Sequence, residues 1–446
     1  SDFYWGATQT ASANGNYVIS VTPLDENNSI SFEGGKVRQE NGKRAMVSVR
    51  YFDELDRPFQ QTVKAASPER TDIVSYTEYD DNSRTIRTWQ PVAANGTRPL
   101  SVTSVQSLAE SQYSDDAPYQ STTKEKWSNG RTVRATTAGE AYQSHPATTS
   151  YLVNDAAIPR FTVTGNGFHA DGEYAVGDLR VTTTTDPDGK QASVFQDVME
   201  RTVLLRQGTD HDTYYLYDDL GRLRYTLPPA VSQHLSSSSS FTDTDSLLRQ
   251  FAYIYQYDKR GHVISKHIPG AEDVYTVYDK AGRLVLRQNG NQRARGNYWM
   301  VLKYGSYGRL AYTAEVNTRS SDLQDMVDSF SEWVVIETFS TSSQNYPMED
   351  TGYSRGYYHN RPTKLLTVNY YDTYDFLQFL PADTAAMLQY QTKAGYDNRH
   401  ENTLGMLTGT RTYNLSDNRY TTTAYYYDAQ GRVIQSRSTS IVSGYN

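Results

Sequence analysis

The chain has 446 residues, a net charge of −8 and no cysteine. Acidic and basic residues are interspersed without a lysine–arginine block, so nucleic acid is not an expected partner. No apolar run approaches the roughly 20 residues that a membrane-spanning helix needs, and the absence of cysteine excludes disulfides and cysteine-ligated metals.

The composition favours β-structure over helix. Tyrosine occurs 38 times against 13 phenylalanines, and tyrosine, threonine and serine suit strands and turns better than helices. We therefore predict an all-β protein: an extended antiparallel sheet of stacked β-hairpins, with at most one or two short helices. Because the sequence begins with Ser1 and not with methionine, we also expect a processed or trimmed product.

One local pattern recurs along the chain: Tyr-Asp-x-x-Gly-Arg followed by an aliphatic residue. Its copies, of which the first two are degenerate, lie at 52–57, 79–84, 217–223, 257–263, 278–284, 304–310 and 427–433. His262 replaces the arginine of one copy, and Gly305 replaces the aspartate of another. Chance does not supply so many copies, so the pattern defines a repeat.

Each copy predicts the turn of a hairpin. Aspartate at the first position of a type I turn accepts main-chain hydrogen bonds, and glycine at the fourth position adopts the left-handed conformation. Asp186–Gly189 has the same turn chemistry without the tyrosine. The predicted turn residues are Tyr217, Asp218, Gly221, Arg222, Tyr257, Asp258, Gly261, Tyr278, Asp279, Gly282, Arg283, Gly308, Arg309, Tyr427, Asp428, Gly431 and Arg432.

The density of copies predicts two domains. We expect an N-terminal β domain with degenerate repeats over 1–205 and a repeat segment over 206–446. Serines 236–240 predict a flexible insertion loop at about 231–246. A short helix is predicted at about 321–331, because Ser321 can cap it and apolar residues recur at helical spacing. A strand is predicted after it, over 333–339.

The motif resembles the YD repeat of RHS proteins, and the resemblance extends over most of the chain, from about 17 to 440. It is similar to the Bacteroidetes-type RHS proteins with their N-terminal domain. The segments that carry this resemblance are Arg57–Pro58, Gln60–Val63, Ala66–Pro68, Asp72–Val74, Leu227–Ala230, Ile268–Ala271, Asn289–Gln292, Tyr370–Phe376 and Leu407–Thr410.

The resemblance implies that the hairpins curl into an RHS-like shell or barrel. In many bacterial members, the polymorphic toxins among them, the shell encloses a C-terminal toxin that follows a core region with a self-cleaving aspartyl site. This chain ends at Asn446 without such a segment. We therefore expect an N-terminal or middle segment of a larger secreted or cell-surface protein, associated with the outer membrane. Its main partner would be the C-terminal core or effector of the same polypeptide.

No residue set points to catalysis, a metal or a cofactor. His262 and His267 are close in sequence, but five residues apart on a strand they face opposite sides. Asp243 with Asp245, and Asp186 with Asp188, could ligate calcium in principle, although turn capping explains them better. An aspartate repeated at every turn is more simply structural than a catalytic acid. We therefore predict that the protein is not an enzyme.

The sequence leaves two main hypotheses for the function and a third that is less favoured. The leading hypothesis is a structural shell that encases or presents another domain. The alternative is a surface adhesin or glycan-binding module that uses exposed aromatics, for which the cues are the tyrosine surplus with Trp89, Trp127 and Trp299. The third, a carbohydrate-active β-enzyme, would need a buried acid pair in a deep cleft.

Overall fold

The computed structural model describes residues 16–24, 30–33, 36–39, 45–94, 98–127, 130–236, 238–318, 323–330, 333–341, 351–354, 364–395, 398–414 and 419–439. Within these ranges the chain forms strands β1 to β29 and helices α1 to α7. It divides into two compact units, one formed by 1–160 with 172–214 and the other by 161–171 with 215–446. The domain boundary predicted at residue 205 stays a prediction.

The strands up to residue 217 are β1 (Asn16–Pro23), β2 (Ile30–Glu33), β3 (Lys36–Gln39), β4 (Ala45–Phe52), β5 (Pro58–Val63), β6 (Asp72–Tyr79), β7 (Thr85–Trp89), β8 (Val92–Ala94), β9 (Tyr119–Lys124), β10 (Thr132–Thr136), β11 (Ala147–Val153), β12 (Ile158–Thr164), β13 (Gly167–Tyr174), β14 (Arg180–Thr185), β15 (Gln191–Gln196), β16 (Thr202–Gln207) and β17 (His211–Tyr217). In the first unit, antiparallel pairing runs in the order β1-β4-β5-β6-β7-β9-β10-β11-β14-β15-β16-β17. Successive hairpins thus lie side by side.

The remaining strands are β18 (Leu223–Leu227), β19 (Ser240–Thr242), β20 (Tyr253–Tyr257), β21 (Val263–His267), β22 (Val274–Tyr278), β23 (Leu284–Gln288), β24 (Tyr298–Tyr304), β25 (Leu310–Asn317), β26 (Lys364–Asp372), β27 (Thr403–Asn414), β28 (Arg419–Tyr427) and β29 (Val433–Ser438). In the second unit, β18 and β20 to β29 pair antiparallel in chain order. The prediction of an extended antiparallel sheet of stacked hairpins is confirmed.

The prediction of at most one or two short helices is wrong. The described residues contain α1 (Val102–Tyr113), α2 (Glu140–Gln143), α3 (Pro229–Ser232), α4 (Ser246–Phe251), α5 (Gly290–Ala294), α6 (Leu323–Asp328) and α7 (Ala382–Leu388), with 3₁₀ turns at Ser306–Gly308 and Asp375–Phe379. Helix α1 escaped prediction because it buries only Val105 and Ala109. So sparse an apolar stripe gives almost no helical periodicity, whereas the side chain of Ser101 caps the helix by accepting from the main chain of Ser104.

The region predicted as a helix followed by a strand differs from expectation in its second half. Helix α6 lies within the predicted range and buries Leu323 and Val327, while Ser321 lies outside the described residues. The strand predicted over 333–339 is wrong: this segment makes only isolated bridges, at Ile336 and Phe339. Ile336 bridges to Tyr304 at the end of β24 and Phe339 bridges to Tyr353, so the segment passes between two partners and pairs with neither over a run of residues.

The insertion predicted as a flexible loop at 231–246 carries regular structure. Strand β19 within it pairs antiparallel with β13, and Phe241 lies opposite Phe168 in this pairing. The ring centroids of these two phenylalanines are 5.4 Å apart, and Phe168 is fully buried. The serines made this segment look unstructured, but the single apolar residue that follows them anchors it.

Tyrosine supplies much of the core. The largest fully buried side chains include Tyr51, Tyr225, Tyr312, Tyr370 and Tyr426. A buried phenol needs a hydrogen-bond acceptor, and Tyr426 donates to the carbonyl of Leu388 at 2.6 Å. Burial raises the pKa of Tyr51 to about 12. Part of the tyrosine surplus is therefore a packing feature, and at Tyr426 the ring fills the core while its hydroxyl binds a carbonyl.

Candidate functional site: the repeated hairpin turn

The turn that starts at Asp218 shows the chemistry of the repeat. Its main chain closes through two hydrogen bonds, from Asp218 N–H to the carbonyl of Arg222 at 2.9 Å and from Gly221 N–H back to the carbonyl of Asp218 at 2.8 Å. One carboxylate oxygen accepts from the N–H groups of Leu220 and Arg222. The other accepts from Nε of Arg222 at 2.7 Å. A single side chain thus fixes the whole turn.

Four other predicted turns repeat this arrangement. In each, an aspartate binds the Nε of the arginine four residues later at 2.6 or 2.7 Å, and these pairs are Asp53–Arg57, Asp80–Arg84, Asp279–Arg283 and Asp428–Arg432. The predicted turn glycines have left-handed backbone conformations, with φ between 70° and 89°, at Gly221, Gly261, Gly282, Gly308 and Gly431.

A further turn of this kind was not predicted. Asp197 binds Nε of Arg201 at 2.8 Å and accepts from the N–H groups of Met199 and Arg201. Glu200 occupies the glycine position with φ of 62°. No tyrosine precedes the aspartate and no glycine marks the turn, so only the spacing of Asp197 and Arg201 could have revealed it.

The turn at Asp218 also binds the next hairpin. The guanidinium of Arg222 donates to the main-chain oxygen of Asp258 at 3.0 Å and lies over the ring of Tyr257, 4.9 Å from its centroid. The hydroxyl of Tyr257 donates back to the carbonyl of Leu223 at 2.7 Å. We call this set of three contacts the turn relay. It gives the motif's tyrosine and arginine one shared role, which is to join neighbouring hairpins.

The turn relay recurs along the chain. Arg57 donates to the main-chain oxygen of Asp80 at 3.1 Å and lies over the ring of Tyr79, whose hydroxyl donates to the carbonyl of Pro58. Arg84 donates to the carbonyl of Glu125 at 2.9 Å. Glu125 begins a hairpin that carries no aspartate motif, so its place in the relay could not be read from the sequence.

The copy with His262 divides the relay between two side chains. His262 keeps the bond to its own turn, since Nδ1 lies 2.9 Å from a carboxylate oxygen of Asp258. Its ring stacks on Tyr278 with centroids 4.6 Å apart, where the other copies place a guanidinium. Arg260 makes the remaining contact and donates to the main-chain oxygen of Asp279 at 3.1 Å. The replacement is compensated within the same turn.

The copy with Gly305 has no carboxylate of its own. Its main chain still closes, from Gly305 N–H to the carbonyl of Arg309 at 2.8 Å. Arg309 instead pairs through both terminal nitrogens with Asp372 and lies over the ring of Tyr371, 4.4 Å from its centroid. Nε of Arg309 is buried without a hydrogen-bond acceptor among the described residues.

Hydrogen bonds from arginine hold the carboxylates of Asp218 and Asp372 in their charged form. Burial alone would raise the pKa of Asp218, but main-chain and side-chain hydrogen bonds from Arg222 outweigh it and leave the pKa below its usual value. At Asp372 the hydrogen bond from Arg309 is the largest influence, and the pKa is again lowered. These groups are therefore ion-pair partners and not proton donors at neutral pH.

The last copy presents its arginine to solvent. The side chain of Arg432 is 71% exposed, while its partner Asp428 is 3% exposed. In four earlier turns the arginine side chains are only 19–26% exposed, at Arg57, Arg84, Arg222 and Arg283. Within the ranges that the structure describes, the guanidinium of Arg432 binds only Asp428.

The residues weighed as metal ligands each take part in local hydrogen bonds. His267 is buried, with Nδ1 2.8 Å from a carboxylate oxygen of Asp273. Asp243 accepts from the hydroxyl of Tyr225 and from the amide of Gln256. Turn capping and internal pairing thus account for the carboxylates that sequence spacing singled out.

The tryptophans proposed as glycan-binding cues fall into two classes. Trp89 is 3% exposed and Trp299 is 9% exposed, so neither presents a ring to a ligand. Trp127 is 77% exposed.

Among the helices that the structure describes, none is both long enough and apolar enough to cross a membrane.

Comparisons with known proteins give a family match over part of the chain. A family model described as a domain of unknown function, DUF6443, matches residues 27–153. A crystal structure of TcdB2-TccC3 without its hypervariable C-terminal region is similar at 14% identity, with a TM-score of 0.44 over 95% of this chain. The Photorhabdus luminescens Tc holotoxin pore with a TccC3 mutation is similar at 13% identity, with a TM-score of 0.42 over 92% of this chain. The chain spans 18% of the length of each of these two structures, and no curated protein matches it.

Proposed function

We propose that the chain is a structural segment of an RHS-type YD-repeat shell in a secreted or cell-surface bacterial protein. The observation that carries this proposal is the turn relay. At Arg57 and Arg222 the charged and aromatic residues of the motif bind the next hairpin. A catalytic or ligand-binding role would call for a few convergent groups in one place, whereas lateral joints that recur from one turn to another suit a continuous wall.

The exposed guanidinium of Arg432 supports the same proposal. At Arg57 and Arg222 the corresponding arginine is covered by the tyrosine and the turn carbonyl of the next hairpin. At Arg432 neither group is present among the described residues, and the side chain of Arg432 is 71% exposed. The wall would continue by adding a hairpin of the same kind there.

We further propose that the shell encases or presents a C-terminal effector. Its support is the resemblance of the motif and of the flanking segments to RHS proteins, in which the shell precedes such a domain. Negative-stain electron microscopy of the whole polypeptide, purified as its bacterium makes it, tests the proposal. We expect a hollow particle with density for a cargo inside, and a solid compact particle would contradict it.

Glycan binding is the second candidate function. Several of the largest rings offer no face to a glycan because they are fully buried, namely Tyr51, Tyr225, Tyr312, Tyr370 and Tyr426. One specific observation does: Tyr307 is 88% exposed and lies on the wall of a cavity at the one predicted turn that lacks its acidic residue. Support for glycan binding therefore comes from the single turn that contains Tyr307.

A further inference from the structure

Helix α4 is tied to the sheet by one buried histidine. His267 is the last residue of β21 and is only 4% exposed. Its Nδ1 lies 2.8 Å from a carboxylate oxygen of Asp273, and its Nε2 lies 2.7 Å from the carbonyl oxygen of Arg249 in α4. The carbonyls in the last turn of a helix have no donor within the helix, so the histidine ring supplies the donor for Arg249.

Both partners of the ring accept hydrogen bonds and have no hydrogen to donate. A carbonyl oxygen is always an acceptor, and so is an ionised carboxylate. Burial alone would raise the pKa of Asp273, but the hydrogen bonds from Arg249 and from the ring outweigh burial and hold the pKa below its usual value. A neutral imidazole donates from one nitrogen only, so it would leave one of these two contacts without a hydrogen. The observed geometry therefore requires hydrogen on both ring nitrogens.

The charged groups that face the ring come from two elements. The guanidinium of Arg249 in α4 binds the same carboxylate oxygen of Asp273 at 2.8 Å, so this carboxylate, just before β22, lies between two cations. Ile254 stands opposite His267 on β20 and brings no charge. Lys266, the neighbour on β21, points to the other face of the strand. The charge of the doubly protonated ring is thus paired and hydrogen-bonded, as a buried charge must be.

Helix α4 depends on contacts of this kind. It has six residues, which is too short for a helix to be stable by itself, and the side chain of its N-cap residue Asp245 makes no capping hydrogen bond. Leu248 is its one buried residue. The strands on either side of the insertion, β18 and β20, pair with each other directly. Helix α4 can therefore detach without breaking a strand pairing.

We propose that α4 is held in place by a proton and that the junction opens when His267 loses it. With a single hydrogen on the ring, either Asp273 or the carbonyl of Arg249 faces a lone pair, and a buried polar contact in that state is unfavourable. The closed junction keeps a proton that the open junction releases, so rising pH opens it. The proposal depends neither on the shell nor on glycan binding.

The experiment uses the full chain with isotope-labelled histidine at a series of pH values. Long-range nitrogen–proton NMR spectra count the hydrogens on each imidazole ring, and His267→Gln identifies the signal of that ring by its loss. Hydrogen exchange of the peptide 246–252, corrected for the intrinsic rate at each pH, measures how often α4 opens. We expect two ring hydrogens on His267 while α4 is protected, and about a tenfold loss of protection as one of them leaves.

Asp273→Asn tests whether the proton itself is the lock. The amide of asparagine can accept from Arg249 and donate to a neutral Nδ1, so a neutral ring satisfies both of its contacts in this variant. Protection of α4 should then be independent of pH. Because this substitution is expected to keep the helix in place, its result does not depend on a destabilised fold.

His211→Gln is the matched control, because His211 also pairs with an aspartate, Asp210, at 2.9 Å but has a side chain that is 68% exposed. It should leave the pH dependence of α4 unchanged. The proposal is overturned if the ring of His267 carries one hydrogen while α4 is protected. It is also overturned if α4 stays protected up to the alkaline unfolding of the whole chain. Wild-type pH dependence in Asp273→Asn would contradict it equally.

Discussion

The guanidinium of Arg222 donates to the main-chain oxygen of Asp258, 36 residues further along the chain, at 3.0 Å. The same guanidinium also holds the carboxylate of Asp218 in its own turn. One side chain thus completes its own turn and joins it to the next one, so local and lateral stability are coupled in a single residue.

The first prediction separates these two contributions. Arg222→Ala removes the bond to Asp218 and the relay to the next hairpin, and should lower the free energy of unfolding by about 2–3 kcal/mol. Arg432→Ala is the matched variant, since it loses only the bond to Asp428 and should cost about 1 kcal/mol. Urea unfolding followed by circular dichroism measures both. Equal losses would mean that the relay contributes nothing.

The second prediction concerns the turn glycines. Gly261→Ala should cost about 1–2 kcal/mol, because φ is 89° and no atom lies within 4 Å of the added Cβ. Gly282→Ala should cost more, because its Cβ would also lie 2.9 Å from Nε2 of His262 and would disturb the stack on Tyr278. Thermal unfolding of both variants checks this order. The reverse order would contradict the packing described for His262.

The third prediction is a rescue. Arg260→Ala removes the bonds to the main-chain oxygens of Asp279 and Lys280, and should destabilise the fold by about 1 kcal/mol. Lys259→Ala, at an exposed position of the same turn, should have almost no effect. His262→Arg restores the usual relay arginine and should recover most of the loss in the double variant. Additive effects of the two substitutions would show that Arg260 does not replace the missing arginine.

The fourth prediction concerns acid. The pKa values of Asp218, Asp258 and Asp372 are lowered from 3.8 in the folded chain, so the folded state binds fewer protons than the unfolded state near that pH. Their contribution to stability is complete above the unfolded value and is lost as the pH falls through the lowered folded values. The free energy of unfolding should therefore decline steeply below pH 3.8.

A substitution tests the source of that decline. Asp218→Asn should flatten the acid limb, because asparagine cannot titrate. Asp219→Asn, at an exposed position of the same turn, serves as the control and should leave the limb unchanged. Denaturant midpoints measured across the acid range give the slopes. An identical slope for the wild type and Asp218→Asn would contradict the assignment.

The sequence predicted the hairpin turns because aspartate and glycine act within a few residues of each other. It did not predict that Asp197 forms a turn, because Glu200 adopts a left-handed conformation for which its residue type gives no signal. The partner of Arg84 also escaped, since its contact with the carbonyl of Glu125 joins two segments that are 41 residues apart. Local chemistry can be read from a motif, but lateral pairing depends on the assembled sheet.

The turn at 305–309 illustrates the same limit. Gly305 was recognised in the sequence as a deviation from the repeat, but its meaning was not. The relation of Arg309 to Asp372, 63 residues away, and the cavity between their segments arise only when β25 and β26 pair. A replacement in a motif shows which position departs from the repeat, but the surroundings of that position depend on the folded sheet.

The relay joins hairpins at one end, and the segments between hairpins leave from the other end. The bond from Arg222 spans 36 residues, whereas the equivalent bond from Arg260 spans only 19, although their lengths are nearly the same. Evolution can therefore lengthen or replace the connecting segments at one rim of the sheet without moving the joints at the opposite rim. Such a wall would acquire new surface features by insertion while keeping its mechanical continuity.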